Sequence, residues 1–260
     1  MKSSEPLVSI IMPAYNVEKY IHNSINSVLS QSYKKWELLI VDDNSTDKTR
    51  DIIKSFAKTD KRIKPIFRKT NGGKPSIAKN SALEHIKGEY IAFLDSDDIW
   101  LKEKLEKQVE LMKNKKYKLC YTGGYFIDEK DNKIGEFLPK YGCGYIFKNM
   151  LFRYELNNQS VLITRDVFKK FNEYITIGED YNLFMDIIYN YKICNIKEKL
   201  IKYRIHKTSI TKSKKKILHQ GVAYTMKEMN RKYAIFKQYP FLYILNLIRA
   251  YRFKIYSYFG

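Results

Sequence analysis

The segment Tyr90-Ile91-Ala92-Phe93-Leu94-Asp95-Ser96-Asp97-Asp98 places three carboxylates within four residues at the end of a short apolar run. Ile91, Phe93 and Leu94 have the apolar density of a strand covered on both faces. Like charges this close disfavour joint ionisation, and a divalent cation relieves that cost. Oxygen ligands on a turn suit Mg²⁺ or Mn²⁺, which keeps several waters and shares its other positions with substrate phosphates. A plainer alternative is a solvated turn whose Asp residues cap the next helix. A second acidic strand end weighs against it: Trp36-Glu37-Leu38-Leu39-Ile40-Val41 runs into Asp42-Asp43-Asn44-Ser45-Thr46-Asp47. Helix capping accounts for Asp43, Ser45 or Asp47 singly. Two acidic ends together point to the ligand crevice outside the carboxyl ends of a parallel sheet.

The elements that must position these groups alternate in the first half of the chain. Val8–Met12 has a strand pattern, and Ile21, Ile25, Val28 and Leu29 then form a helical stripe. Trp36–Val41 reads as a strand and Thr49–Phe56 as a helix capped by Asp47. Ile63–Phe67 is a strand, Asn71-Gly72-Gly73 a turn, Ser76–Ile86 a helix and Tyr90–Leu94 the fourth strand. Strands recur at intervals of 26 to 30 residues, the size of a βαβ unit, so the expected class is α/β with a doubly wound, mostly parallel sheet. After a helix at Leu101–Met112 the alternation stops. Lys118–Thr122 and Tyr125–Ile127 read as separate strands, with a hairpin loop at Asp128–Asn132. Val161–Thr164 is a further strand, Asp166–Phe171 a short helix and Tyr181–Tyr189 a longer one opened by Glu179-Asp180.

The length of 260 residues suits one large domain or a domain with an appendage, and 44% hydrophobic content suits a packed core. Cys120, Cys143 and Cys194 are widely separated, with no CxxC and no His-Cys cluster. That spacing argues for a reducing compartment and against structural zinc. Met1 to Pro6 shows no signal-peptide pattern, and no window reaches the ~18–20 apolar residues of a membrane span. The expectation is therefore a cytoplasmic chain without a spanning helix. The net charge is +20, and Lys207 to Gly260 holds nine Lys and three Arg against a single acid, Glu228. A basic end of this kind suggests a polyanionic surface. No RNP-like, zinc-finger or KH pattern accompanies the charge, which argues against nucleic acid as partner. Phe241, Ile244, Leu245 and Ile248, with Arg249 interleaved, fall near helical spacing after Pro240. Such a helix either lies in an anionic membrane interface or packs its apolar stripe on the main domain.

Five segments, in order, resemble the family 2 glycosyltransferases of the GT-A fold, inverting enzymes that use nucleotide-diphosphate sugars. They are Val8-Ser9-Ile10-Ile11-Met12-Pro13-Ala14-Tyr15-Asn16, Trp36–Asp47, Asn71–Ala82, Asp95–Asp98 and Glu179-Asp180, covering about residues 7 to 206. The nearest likeness is to small bacterial transferases that build O-antigen, capsule or lipooligosaccharide. The resemblance implies a GT-A domain at 1–206, with a donor half at about 1–100 and an acceptor half at about 101–206. A basic, aromatic, helical tail at 207–260 would hold the protein at the inner face of the bacterial membrane.

On that resemblance Pro13, Ala14 and Tyr15 line the base and ribose pocket, and Asp42 accepts from the uracil edge. Asp95-Ser96-Asp97 is the DXD motif, with Asp97 as direct metal ligand and Asp95 nearer the ribose or a metal-bound water. Lys79 stands where relatives commonly carry Arg, keeping the charge at a diphosphate or base contact without the planar fork. His206, in Tyr203-Arg204-Ile205-His206, contacts phosphate or belongs to a mobile active-site loop. Asp180 is the catalytic base, although Glu179 and Asp180 also suit a helix N-terminus on charge alone. The implied reaction moves a sugar from a donor, of the UDP type, to a hydroxyl of a growing, lipid-linked surface glycan, with Mn²⁺ or Mg²⁺, giving a β-linkage by inversion. Two other classes stay open. One is a sugar-phosphate nucleotidyltransferase, against which the Pro13–Val17 segment lacks a Gly-rich phosphate loop, and the other is a non-catalytic basic binding module.

Overall fold

The structure is a computed structural model and describes residues 5–113, 116–206 and 215–256. Nine strands form one mixed sheet in the order β3-β2-β1-β4-β8-β6-β9-β5, with β7 paired to β6. The strands are β1 (Val8–Ala14), β2 (Trp36–Asp42), β3 (Ile63–Phe67), β4 (Tyr90–Phe93), β5 (Ile99–Trp100), β6 (Leu119–Ile127), β7 (Lys133–Phe137), β8 (Leu162–Thr164) and β9 (Ile193–Arg204). β1 to β4 pair in parallel, as their spacing predicts. β8 then enters antiparallel to both β4 and β6, and β6 and β9 again run parallel. The two short strands expected at Lys118–Thr122 and Tyr125–Ile127 are one strand, whose register with β9 shifts around Gly123 and Gly124. A Cβ on either glycine would lie within 3 Å of a neighbouring strand's atoms, so the small residues let the chains approach closely.

Alternate residues of the central strands feed two cores. Val8, Ile10, Met12, Leu38 and Ile40 face α1 (Ile21–Leu29), α2 (Thr49–Thr59) and α4 (Lys104–Met112). Ile11, Leu39, Val41 and Phe93 face α3 (Pro75–Asn80), α5 (Phe147–Phe152) and α6 (Glu179–Asn190). The period of two along each strand therefore becomes a helical layer on each face.

The tail belongs to the second of these cores. After α7 (Lys215–Tyr233), α8 (Ile235–Gln238) and α9 (Pro240–Tyr256), Met226, Met229 and Ile235 are buried with Phe184 and Met185. Asn246 Nδ2 donates to Leu151 O (2.7 Å), and Arg249 Nη1 donates to Phe152 O (2.6 Å). Of the two readings of this helix, the structure shows packing on the main domain. The outward residues Phe241, Ile244 and Ile248 remain exposed, Phe241 at 72%. Much of the Lys212–Lys216 run, and the side chains beyond Arg249, lie outside the described residues.

The cysteine reading is corrected. Cys143 and Cys194 form a disulfide with a Cα–Cα distance of 4.2 Å, beside a two-way backbone bridge between Gly144 and Ile193. Their 51-residue separation gave no local pattern from which the pair could be read. Cys120 stays a free thiol, its pKa pushed up to about 12 by burial.

Lys104, at the start of α4, is fully buried, with its Nζ bonded to Gln108 Oε1 (2.6 Å) and 3.9 Å from the Trp100 ring centroid. Among the described residues no carboxylate pairs with it, and burial lowers its pKa to about 7. In the unfolded chain the same amine titrates near 10.4, so between the two values the unfolded state binds the extra proton and stability rises with pH. At neutral pH this costs on the order of 4 kcal/mol. Lys104→Met is expected to stabilise the protein at pH 7, with the gain shrinking towards pH 10, as read by urea unfolding at both. An equal gain at the two pH values would contradict a desolvated amine.

Candidate active site

The carboxyl ends of β1, β2 and β4 open on one edge of the sheet, bringing the nucleotide-side candidates together. Pro13 and Ala14 lie in register with Val41 and Asp42, and Tyr15 is exposed just beyond. Asn16 follows with φ 49°, which turns its side chain so that Oδ1 accepts from Thr46 N (2.8 Å), while its own N–H donates to Ser45 Oγ (3.0 Å). The two strand-end loops are thereby fastened to each other.

Asp42 is not placed as expected. Its side chain is fully buried, Oδ2 takes Arg50 Nε (2.8 Å) and Nη2 (2.7 Å), and Oδ1 accepts from Ser45 N (3.2 Å). It anchors α2 and the turn rather than presenting an edge to a base. The adjacent Asp43 faces the Asn71–Gly73 turn, taking Gly72 N on both oxygens (3.0 Å each) and lying 2.6 Å from Arg68 Nε.

At the end of β4 the acidic residues divide by role. Asp98 is buried, accepting from Arg204 N (2.6 Å) and from Gln159 Nε2. Ser96 is buried as well, its carbonyl accepting from Ser24 Oγ on α1 (2.8 Å). Asp97 turns outward, with its side chain 26% exposed and Oδ2 at 2.9 Å from His206 Nε2. The His206 ring stands 5.4 Å from that of Tyr20, and Arg204 Nε donates to Asp97 O (2.8 Å). Asp95 Oδ1 accepts from Asn158 Nδ2 (3.2 Å). Burial pushes the Asp95 carboxyl up to about 6, with Lys79 opposing the rise and Asp97 and Asp180 adding to it. Burial likewise holds Asp98 well above the carboxylate range, with Asp97 and Asp95 contributing.

This donor set fits a shared divalent cation. Asp97 and His206 offer an oxygen and a nitrogen at one point, and the neighbouring carboxylates are destabilised in a way that positive charge would relieve. Among the described residues no group of three ligands is gathered. One or two carboxylates completed by phosphate oxygens and water is the ordinary pattern for Mg²⁺.

The third contribution comes from the start of α6. Gly178, at φ 92°, turns the chain in a conformation that favours glycine and delivers Glu179 and Asp180 at the first turn. Glu179 Oε1 meets Lys79 Nζ at 2.8 Å, with the two side chains 5% and 4% exposed. Burial alone would lower the Lys79 pKa, but the charges of Glu179, Asp95 and Asp180 hold it above the usual value. The Lys79 ammonium pairs with Glu179 and stands 5.1 Å from the Phe171 ring centroid. Asp180 remains half-buried with Oδ1 accepting from Tyr181 N (2.8 Å). Burial and Glu179 raise its pKa, and Lys79 draws it back.

Sequence reasoning missed the segment that clamps the acidic loop. Asn158, Gln159 and Ser160 are buried polar residues just before β8. Besides the contacts above, Trp100 Nε1 donates to Gln159 O (2.9 Å) and Gln108 Nε2 to Ser160 O (2.9 Å). The visible signal was the polar run Asn157-Asn158-Gln159-Ser160 directly against the apolar Val161-Leu162-Ile163.

Removing one partner of a buried pair leaves an uncompensated charge, which costs about 3–5 kcal/mol. Lys79→Met is expected to lose that much stability in urea unfolding, and Lys79→Met/Glu179→Gln to recover most of it. Lack of recovery would show that Lys79 acts through Asp95 and Asp180 instead.

Comparison with known proteins fits this geometry. Residues 9–172 match the profile described as Glycosyl transferase family 2. The chain is 38% identical over 214 residues to the Escherichia coli protein named UDP-Glc:alpha-D-GlcNAc-diphosphoundecaprenol beta-1,3-glucosyltransferase WfgD, covering 82% of each. It is 44% identical over 138 residues to the putative teichuronic acid biosynthesis glycosyltransferase TuaG of Bacillus subtilis, a match spanning 53% of this chain and about half (54%) of that relative. Among solved structures, S. aureus TarS in complex with UDP-GlcNAc superposes with a TM-score of 0.70 at 20% identity, covering 86% of this chain and 66% of that one. The mannosyltransferase PcManGT of Pyrobaculum calidifontis, in complex with GDP-Man and Mn²⁺, gives 0.67 at 18% identity, covering 88% and 65%. An acidic crevice on a mostly parallel sheet, a profile match over more than half the chain and a relative matched along most of both lengths agree: the chain belongs to glycosyl transferase family 2.

Proposed function

We propose that this glycosyltransferase moves a sugar from a UDP-type donor to a hydroxyl of a lipid-linked bacterial surface glycan, with inversion and with a divalent cation. The observation that carries the reading is that the buried Asp95 feels the charge of two further acidic groups, one from each of two elements. Asp97 with His206 stands at the end of β4, and Asp180, with its raised affinity for a proton, stands at the start of α6. Support for the substrates comes from the relatives: WfgD is named for a UDP-Glc donor and a diphosphoundecaprenol-linked acceptor, and TarS was solved with UDP-GlcNAc. The nucleotidyltransferase and binding-module alternatives have no comparable support.

On this reading Pro13, Ala14 and Tyr15 flank the nucleoside. Asp97 would hold the cation, with Asp95 beside it and His206, 2.9 Å from Asp97, at the same end of the site. A bound Mn²⁺ or Mg²⁺ supplies Lewis-acid stabilisation of the leaving diphosphate. Asp180 takes the proton of the acceptor hydroxyl as its oxygen bonds to the anomeric carbon, while the bond from that carbon to the diphosphate oxygen breaks. One base opposite the leaving group gives a single displacement, so an α-linked donor yields a β-linked product. A carboxylate whose pKa is raised towards the working pH is a better base for this step.

The exposed Phe241, Ile244 and Ile248 stripe, together with Arg249 and the basic tail, supports docking on an anionic membrane where such an acceptor resides. No described helix is long and apolar enough to cross a membrane.

Asp180→Asn is expected to lower kcat by ~10²-fold or more with donor affinity nearly unchanged, since general base catalysis contributes on that scale. Equal loss of donor binding would reject the role of base, and an α-linked product would reject inversion. Asp97→Ala should abolish the Mn²⁺-dependent thermal shift with UDP, and full turnover in excess EDTA would rule out the cation. Phe241→Glu/Ile244→Glu/Ile248→Glu alters only outward side chains and should weaken binding to phosphatidylglycerol vesicles while leaving the melting temperature in place. Unchanged vesicle binding would dismiss the membrane reading.

A further inference from the structure

We propose that Asn158 recognises a hydroxyl of the transferred sugar, an inference that rests on the function proposed above. Asn158 opens the short 3₁₀ turn Asn158–Ser160 and is 6% exposed. Its Nδ2 donates to Asp95 Oδ1 at 3.2 Å, while its Oδ1 is buried and has no hydrogen-bond partner. Asp95 fixes that orientation, because the flipped amide would turn Oδ1 onto a carboxylate oxygen. Buried polar atoms are bonded as a rule, so an acceptor held this way calls for an N–H or O–H from outside the protein. Asp95, to which the amide nitrogen is bonded, is an acceptor when ionised and cannot supply one.

The position matches a sugar more closely than a nucleotide or an acceptor lipid. If the diphosphate lies at Asp97 and His206 and the base is Asp180, the donor sugar spans the interval between them, and Asp95 with Asn158 borders that interval from the β4 side. Asp95 and Asn158 then present two oxygen acceptors side by side, a pattern suited to neighbouring ring hydroxyls. The buried hydroxyl of Tyr154, which feels the charge of Asp180, is also without a partner and is a second group that a polyhydroxylated ligand would satisfy. A site built to bond a particular hydroxyl discriminates strongly against an analogue that lacks it. Asn158 would therefore help choose the sugar, beyond its hold on Asp95.

The test is calorimetric binding with Mn²⁺ of UDP, UDP-glucose, UDP-N-acetylglucosamine and the deoxy analogues of UDP-glucose, to wild type and Asn158→Ala. Wild type should lose about tenfold in affinity for one deoxy analogue, the worth of one hydrogen bond. Asn158→Ala should lose the same factor for the parent sugar, lose nothing more for that analogue, and bind UDP as wild type does. An equal loss for UDP and UDP-sugars would reduce Asn158 to positioning Asp95 and overturn the inference while leaving the functional reading intact. Wild type that binds no UDP species would overturn both. Should Asn158→Ala fail to fold, Asn158→Ser and the wild-type deoxy series still decide the matter, since a series without any selective loss rejects a hydroxyl contact.

Discussion

A single buried ammonium makes the acidic crevice possible. Asp95, Glu179 and Asp180 converge from two elements far apart in sequence, and Lys79 Nζ, bonded to Glu179, is the positive charge acting on all three. Desolvation opposes each of these charges, so none is tolerable alone. The pair also carries geometry. It ties α3, which follows the nucleotide-side strand β3, to α6, which delivers the proposed base, and the spacing between leaving-group side and base is set where these helices meet. A compact ammonium suits this place, since it serves one carboxylate oxygen at close range while its charge reaches the others.

The acidic loop after β4 is held from the second half of the chain in a similar way. Asp98 is taken by Gln159 and Arg204, and Arg204 continues to Asp128 O (2.8 Å) and Asp131 (2.5 Å) in the β6–β7 turn. Asp97 is left facing outward because its neighbours are committed inward. Dipoles fixed before a ligand arrives need no reorganisation during reaction, which is the useful property of such a scaffold. Residues before and after about position 100 are therefore one unit at the site. The helices from Lys215 onward extend the same core, with Met226 and Met229 against it.

How much of this was legible follows from the range of the interactions. The parallel strands β1 to β4 and their helices were readable because alternation and spacing are local, whereas Asp180 and His206 were named from the family resemblance and not from any local pattern. Asp42 and Asp43 are adjacent, and their burial against Arg50 and Arg68 depends on partners eight and 25 residues further along the chain. Lys79 carried the right charge, but its partner lies 100 residues away. β9 was missed because Lys197, Glu198 and Lys199 break its apolar pattern, and the Cys143–Cys194 bond joins positions with no shared motif.

The placement of charge also explains why so basic a protein keeps an acidic centre. Basic side chains gather towards the tail and at exposed positions such as Lys169, Lys232 and Arg249, where water screens them. In the crevice the low-dielectric surroundings keep a few carboxylates strongly coupled. Surface charge can thus favour an anionic boundary over a long range while the interior field stays set by Lys79 and its acidic neighbours. The two proposed electrostatic tasks, drawing the molecule to a surface and preparing a leaving group and a base, would fall to different sets of residues.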